Sequence, residues 1–151
     1  MLPEQYQDVM DPFVTSWVAS AVTTSLKVAT GICLIVQRDP IQTAKLVASL
    51  DQISSGRFLF GVRARWNSEE MGNHGTDFNT RMLLLEERLE AMREIWVNEY
   101  ATYRGKFVGF SEMTSNPKPI QKPPPPLIIG SVFLFGARRA IAHGDGWIPH
   151  A

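Results

Sequence analysis

Residues 30–62, TGICLIVQRDPIQTAKLVASLDQISSGRFLFGV, set a short apolar run, a stretch of helical periodicity and a second apolar run in unbroken succession. Two parallel strands need a crossover of a dozen or more residues between them, and an amphipathic helix is the usual one. The order therefore predicts a βαβ unit. Asp39-Pro40 opens its helix, Ile41, Ala44, Leu46, Val47 and Leu50 recur on the inward side, and Ser55-Gly56 resets the chain into a second strand over 57–62. In folds assembled from such units the chemistry collects beyond the C-terminal ends of the strands.

The same reading extends along the chain. Asp11 caps a helix over 12–25, with Pro12 in its first turn and Phe13, Trp17, Val18 and Val22 at helical spacing. Residues 27–36 are rich in β-branched side chains and read as a strand buried on both faces. A long polar loop over 63–78 holds Trp66, Asn67, His74 and Asp77, and loops of that length are usually functional. The next helix spans 80–98 on Met82, Leu85, Leu89, Met92, Ile95 and Trp96, with Glu86, Glu87, Glu90 and Glu94 on a solvated outer face. An excursion over 103–110, built around Gly105 and Gly109, feeds the segment PKPIQKPPPP. Its four consecutive prolines read either as a polyproline ligand for a partner domain or, with a strand at 127–130 directly behind, as a rigid lead-in. A helix over 133–143, Gly144 as its C-terminal cap and a strand starting at 147–149 complete the pattern, and no internal repeat is present.

Composition narrows the function. The 151 residues suit one globular domain, and 15 basic against 15 acidic side chains leave no net field to attract nucleic acid or an anionic membrane. Cys33, the single cysteine, excludes an intramolecular disulfide and fits a reducing compartment, so the cytoplasm is the expected location. No apolar run is long enough to span a bilayer, and MLPEQYQDVMDP is too polar for a signal peptide. His74, His143 and His150 lack metal-ligand spacing with one another or with Cys33, so no metal is expected, and no GxSxG nucleophile motif occurs.

Four parallel strands with covering helices are half of an eight-stranded barrel, so the chain reads as the middle of a larger domain, residues 1–151 being one incomplete domain. The segments DPFVTSWVASAVTTSLKVATGICLIVQRDPIQTAKLVASLDQISSGRFLFGV, WNSEEMGNHGTDF, YRGKFVGF, PKPIQKPPPPLIIG and RRAIAHGDGW, in that order, resemble the luciferase-like monooxygenase family, and within it the deazaflavin-dependent oxidoreductase branch. The resemblance implies an α/β fold, a partial (β/α)8 TIM barrel supplying about strands three to six. It implies a flavin-type cofactor at the strands' C-terminal mouth, deazaflavin (coenzyme F-420) ahead of flavin mononucleotide (FMN), hydride transfer through that cofactor, and a small-molecule substrate. Catalytic residues are not assigned, because the strands absent here contribute them in the family.

Three segments bear on the cofactor. In the family the end of the third strand makes a bulge beneath the cofactor's central ring, often with a non-prolyl cis peptide, and Gly31, Ile32 and Cys33 match it. An ordinary kink beside a core cysteine is the alternative. The segment GVRARWN stands where the family has GVGAGWN, so Arg63 and Arg65 flank Ala64 in place of glycines that let backbone approach the cofactor. They act as guanidinium clamps on an anionic tail, or they fill the site and weaken binding. Asn67 and Glu70 match the family and contact ribityl or tail groups, or cap the loop. In LIIGSVFLFGARR, Gly130 is retained at a phosphate-binding helix start, Ser131 replaces a second glycine, and residues 132–135 put bulk where the family has small residues.

The reading from a different class is a non-catalytic fragment or degenerate paralogue that binds no cofactor. Either way, strands over 27–36 and 147–149 have no outer neighbours and are expected to be open sheet edges that drive self-association.

Overall fold

The Asp11 carboxylate accepts hydrogen bonds from the Phe13 and Val14 amides at 2.8 and 3.4 Å, and with Pro12 behind it this starts helix α1 (Pro12–Val22). The computed structural model describes residues 8–64 and 67–149. Five strand segments form its main sheet, all parallel, in the order β1 (Val28–Ala29), β3 (Phe58–Arg63), β6 (Leu127–Ser131) and β7 (Gly146–Pro149), with β2 (Cys33–Leu34) also paired to β3. Val28 lies opposite Phe58, Cys33 opposite Val62, Phe60 opposite Leu127 and Ile129 opposite Trp147. Helix α2 (Pro40–Ile53) crosses from β2 to β3, α4 (Arg81–Val97) precedes β6, and α5 (Phe135–His143) joins β6 to β7. The result is four strand positions in an open arc, each seam backed by a helix.

Alternation on β3 sets the core. Phe58, Phe60 and Val62 are fully buried on the helix side. Phe13, Phe58 and Phe60 form a tilted aromatic cluster with ring centroids 6.2–6.5 Å apart, and Trp96 meets Phe60 edge-on at 6.3 Å while its indole N–H donates to the Ala44 carbonyl at 3.0 Å. Ala44, Val47 and Leu50 from α2 and Leu85, Leu89, Met92 and Ile95 from α4 complete it.

The structure corrects several sequence expectations. The strand over 27–36 is interrupted: Thr30 turns its hydroxyl onto the Gly61 carbonyl at 2.7 Å, the Gly31-Ile32 peptide is cis, and Ile35–Gln37 wind into a 3-10 turn. Pairing to β3 resumes only at Cys33. The loop over 63–78 contains helix α3 (Ser68–Asn73) and a 3-10 turn at Phe78–Thr80. A helix of six residues is too short to show periodicity, and its signal was the cap: Asn67 accepts from the Glu69 and Glu70 amides at 3.1 and 3.3 Å. Helix α1 is inverted relative to its apolar spacing. Phe13, Ser16 and Ser20 face inward, Ser20 donating to the Ser16 carbonyl at 2.8 Å, while Val14, Trp17, Val18 and Val22 are exposed.

The α4 glutamates lie on an outer face, as expected, but each is engaged by a partner. Glu86 pairs with Arg139 at 2.9 Å, Glu90 accepts from the Tyr103 hydroxyl at 2.7 Å, and Glu94 accepts from the Asn98 amide group at 2.6 Å. Glu87 accepts from the amides of Lys106, Phe107 and Val108 at 2.7–2.9 Å. It thereby fixes the turn of an antiparallel hairpin, β4 (Ala101–Arg104) and β5 (Gly109–Met113), which is the excursion around Gly105 and Gly109. The proline-rich segment is tied into its own chain as a lead-in to β6. Gln121 donates twice to the fully buried Asp51, and the Lys118 ammonium donates to the Ile95 and Asn98 carbonyls at 2.6 Å.

Candidate functional site

Register brings the expected positions to one end of the sheet. Leu34 lies opposite Arg63, Val62 opposite Ile129 and Ser131 opposite Pro149, so Gly31–Cys33, Arg63, Ala64, Gly130 and Ser131 all gather at the C-terminal tips of the strands. Arg65 and Trp66 lie outside the described residues, as does His150.

Ile32 is the centre of this group. A Cβ on Gly61 would stand 2.0 Å from the Thr30 carbonyl oxygen and 3.1 Å from Ile32 Cγ2, and one on Gly130 would stand 2.8 Å from Ile32 Cδ1. The two glycines therefore leave the space that the Thr30–Ile32 bulge occupies, and Ile32 spreads over both strands as a half-buried apolar platform. Cys33, next in the chain, turns to the core, and burial pushes its thiol up to about 12, Asp11 adding to the rise and Arg38 opposing it. That placement gives Cys33 a packing role at this end of the sheet.

Two groups brace the turn behind the platform. The Arg88 guanidinium donates to the Ile35 carbonyl at 2.5 Å and the Thr76 hydroxyl donates to the Val36 carbonyl at 2.9 Å. Burial pulls the Arg88 pKa down while Asp39 opposes it, and Arg88 Nε and Gln37 Nε2 are buried without a hydrogen-bond partner among the described residues.

At the same strand tips lies a crevice between the strands and helices α4 and α5, bounded by Arg63, Ala64, Gly130, Ser131 and Arg139 above Met82 and Leu85. Its volume is about 20 Å³, room for one water. Arg139 uses Nε on Glu86, and its Nη1 is buried there without a partner among the described residues. An unpaired guanidinium nitrogen beside a serine hydroxyl suits an anion or a polar oxygen. Arg139, Arg88 and Gln37 were invisible to the sequence reading, because each sits on a helix or turn whose pattern looks like ordinary solvent-facing polarity. The bulky residues 132–135 are exposed instead of filling the crevice, with Phe133 packed on Trp147 at 5.9 Å between ring centroids. Leu134 holds φ of 74°, the left-handed region glycine takes without penalty, immediately before α5.

Asn67 caps α3, Glu70 follows within that helix, and His74 is exposed at the helix end. A much larger groove of about 490 Å³ lies between α2 and the chain following β5, lined by Ile41, Gln42, Lys45 and Met113–Asn116. Gln42, Lys45, Thr114, Ser115 and Asn116 put polar groups along it, but it touches no strand tip, where the chemistry of such folds collects, so position favours the smaller crevice as the chemical site. Among the described residues no cluster of His, Cys, Asp or Glu could hold a metal ion, and no helix is long and apolar enough to cross a membrane.

The overall fold is shared with known proteins. The family model described as luciferase-like monooxygenase matches residues 1–151. The chain belongs to that family. An uncharacterized protein of Mycobacterium tuberculosis is 41% identical over 150 residues, covering 96% of this chain and 51% of the relative. The FMNH2-dependent dimethylsulfone monooxygenase of Pseudomonas fluorescens is 31% identical over 123 residues, covering 80% of this chain and 32% of that protein. Among solved structures, a monooxygenase from Streptomyces bottropensis superposes with a TM-score of 0.83 at 28% identity, over 91% of this chain and 42% of that one. The coenzyme F-420-dependent tetrahydromethanopterin reductase of Methanopyrus kandleri gives 0.81 at 21% identity, over 94% and 45%, a likeness of fold. The family member described here thus spans about half the length of the curated relatives it matches, and its fold is a partial α/β barrel.

Proposed function

We propose that this chain contributes the cofactor mouth of a flavin-type oxidoreductase or monooxygenase acting on a small molecule, with deazaflavin (coenzyme F-420) favoured over FMN. The observation that carries the reading is Ile32 laid across Gly61 and Gly130, an apolar platform at the strand tips, the same end of the sheet at which Arg139 keeps a guanidinium nitrogen unpaired among the described residues. A flat heteroaromatic ring with an anionic tail suits that combination. Ile32 would support the ring, with the Gly31 backbone open beside it. Ser131, Arg63 and the free Nη1 of Arg139 would hold tail oxygens, and two cationic side chains suit the more heavily anionic tail of the deazaflavin. A bound cofactor of this class would accept or donate the hydride, or activate oxygen, and the chain's own groups would position it and exclude water.

Support for flavin-type chemistry comes from the family and from relatives named for FMNH2 or coenzyme F-420. The blocking role of Arg63 is the competing outcome, and salt separates the two. As a clamp, Arg63→Gly lowers affinity for deazaflavin about tenfold, with a larger loss at low salt, because the attraction between a half-buried guanidinium and an anion is still partly screened by salt, over about 10 Å at 0.1 M. If Arg63→Gly instead raises affinity at both salt concentrations, Arg63 obstructs the site and the clamp assignment is wrong.

A further inference from the structure

The pairing of β1 and β2 with β3 carries a miscount. Ala29 lies opposite Leu59 and Cys33 opposite Val62, so Thr30, Gly31 and Ile32 run past only Phe60 and Gly61. One extra residue on a strand is a bulge, which leaves the ladder locally and re-aims a side chain. The place of Ile32 is therefore set by what holds the two ends of the bulge. At the first end the buried Thr30 hydroxyl donates to the Gly61 carbonyl at 2.7 Å. At the second, Cys33 and Leu34 rejoin β3 and run straight into the 3-10 turn Ile35–Gln37.

That turn holds itself poorly. A 3-10 turn has inferior hydrogen-bond geometry, Leu34 gives this one no side-chain cap, and its closing bond from the Arg38 amide to the Ile35 carbonyl is at the long end of the normal range, 3.2 Å. Two donors from outside the sheet supply the hold. The Arg88 guanidinium of α4 donates to the same Ile35 carbonyl at 2.5 Å, and the Thr76 hydroxyl, from the segment after α3, donates to the Val36 carbonyl at 2.9 Å. Thr76 is itself anchored, its amide donating to the carbonyl of the fully buried Met71 at 2.9 Å. A half-buried guanidinium is a costly way to fill space beside a neutral carbonyl, since an apolar side chain of similar length would pack there without losing hydration. What the charge adds is direction. We propose that Arg88 is a positioning residue: by holding the Ile35 carbonyl it fixes the second end of the bulge, and with it the height at which Ile32 lies across Gly61 and Gly130. Thr76 does the same through the next carbonyl. The assignment rests on the reading of Ile32 as the support of a cofactor ring, and Arg88 acts on that ring only through Ile32.

The platform's height can be read without any cofactor, by methyl NMR of the full chain. A Cβ on Gly130 would stand 2.8 Å from Ile32 Cδ1, so the nuclear Overhauser cross-peak between the Ile32 δ1 methyl and the Gly130 α-protons reports that contact. Arg88→Met, which keeps the length and removes the donor, should lose the cross-peak, and Arg88→Lys, which keeps a cationic donor, should restore it. Thr76→Val should weaken it and Thr76→Ser preserve it. A change that only destabilises the fold lowers the melting temperature and leaves the native cross-peak in place. An unchanged cross-peak in folded Arg88→Met overturns the proposal, and where that variant does not fold, an unchanged cross-peak in Thr76→Val overturns it instead. Titration with deazaflavin is the second arm. Because a misplacement of about 1 Å in a binding site can cost up to about a hundredfold, Arg88→Met should bind about tenfold more weakly than wild type and Arg88→Lys should recover most of the loss. Unchanged affinity in a folded variant that has lost the cross-peak would overturn the link from Arg88 to the ring. Wild-type protein that binds neither deazaflavin nor FMN would refute the cofactor reading, and the cross-peak would still decide whether Arg88 positions Ile32.

Discussion

Gly61→Ala is the substitution to which the bulge at the mouth is most sensitive. The new methyl carbon would lie 2.0 Å from the Thr30 carbonyl oxygen, a backbone atom of the residue directly after the β1–β3 ladder. Carbon and carbonyl oxygen settle at about 3.3–3.6 Å, so the strands would have to separate by more than an ångström, beyond what their hydrogen bonds tolerate. The 2.7 Å bond from the Thr30 hydroxyl to the Gly61 carbonyl is buried and would go with them. Overpacking of about 1–3 kcal/mol plus one or two hydrogen bonds at about 1 kcal/mol each puts the cost near 4 kcal/mol. Gly130→Ala is the control: its methyl would meet Ile32 Cδ1 at 2.8 Å, the free end of a side chain. An off-rotamer shift costs about 1 kcal/mol. Urea unfolding of both variants at one protein concentration should show midpoints lowered by about 2–3 M for Gly61→Ala and under 1 M for Gly130→Ala. A Gly61→Ala protein within 1 kcal/mol of wild type, or the reverse order of the two variants, would refute the close approach that makes room for the bulge.

Two further predictions follow from charge. Burial alone would raise the Glu87 carboxyl, but the amides of Phe107, Lys106 and Val108 outweigh it and hold the carboxyl below the ordinary glutamate range. Its grip on the β4–β5 hairpin is therefore complete above the unfolded pKa and lost as pH falls through the lower folded value. Amide chemical shifts of residues 106–108 should titrate together with a midpoint below that of a free glutamate, and Glu87→Gln should abolish the titration; a midpoint at or above the free value would contradict the contact. Cys33, protonated and packed, should resist iodoacetamide in the native state at pH 8 and label within minutes in urea, whereas fast native labelling would place it at the mouth.

The βαβ unit was legible in the sequence because its two periodicities are strong and its boundaries carry Asp-Pro and Ser-Gly. Helices α2 and α4 and strand β6 came out within about two residues for the same reason. The interruption after Ala29 was carried by resemblance alone: Ile32, Cys33, Leu34 and Ile35 look like one uninterrupted strand until Thr30 is seen bonding to Gly61, a contact across 31 residues. The role of Gly61 was hidden similarly, since a glycine inside FLFGV advertises nothing about the carbonyl facing it. Helix α1 misled for a physical reason. Apolar spacing reveals that a face is apolar but not which way it turns, and two buried serines settled that. Arg139 acquired meaning only when α5 folded back to place it against Ser131 and Glu86.

The central claim, that this end of the sheet holds a flavin-type ring, is tested most directly by titrating the purified chain into oxidised deazaflavin and, separately, FMN, following cofactor fluorescence. The account predicts saturable change with both, tighter for deazaflavin, weakened at least tenfold by Ile32→Asp in a protein whose melt still shows a folded chain. The absence of any saturable change with either cofactor up to millimolar protein, in a folded sample of established assembly state, would contradict it and leave a barrel fragment that packs without binding.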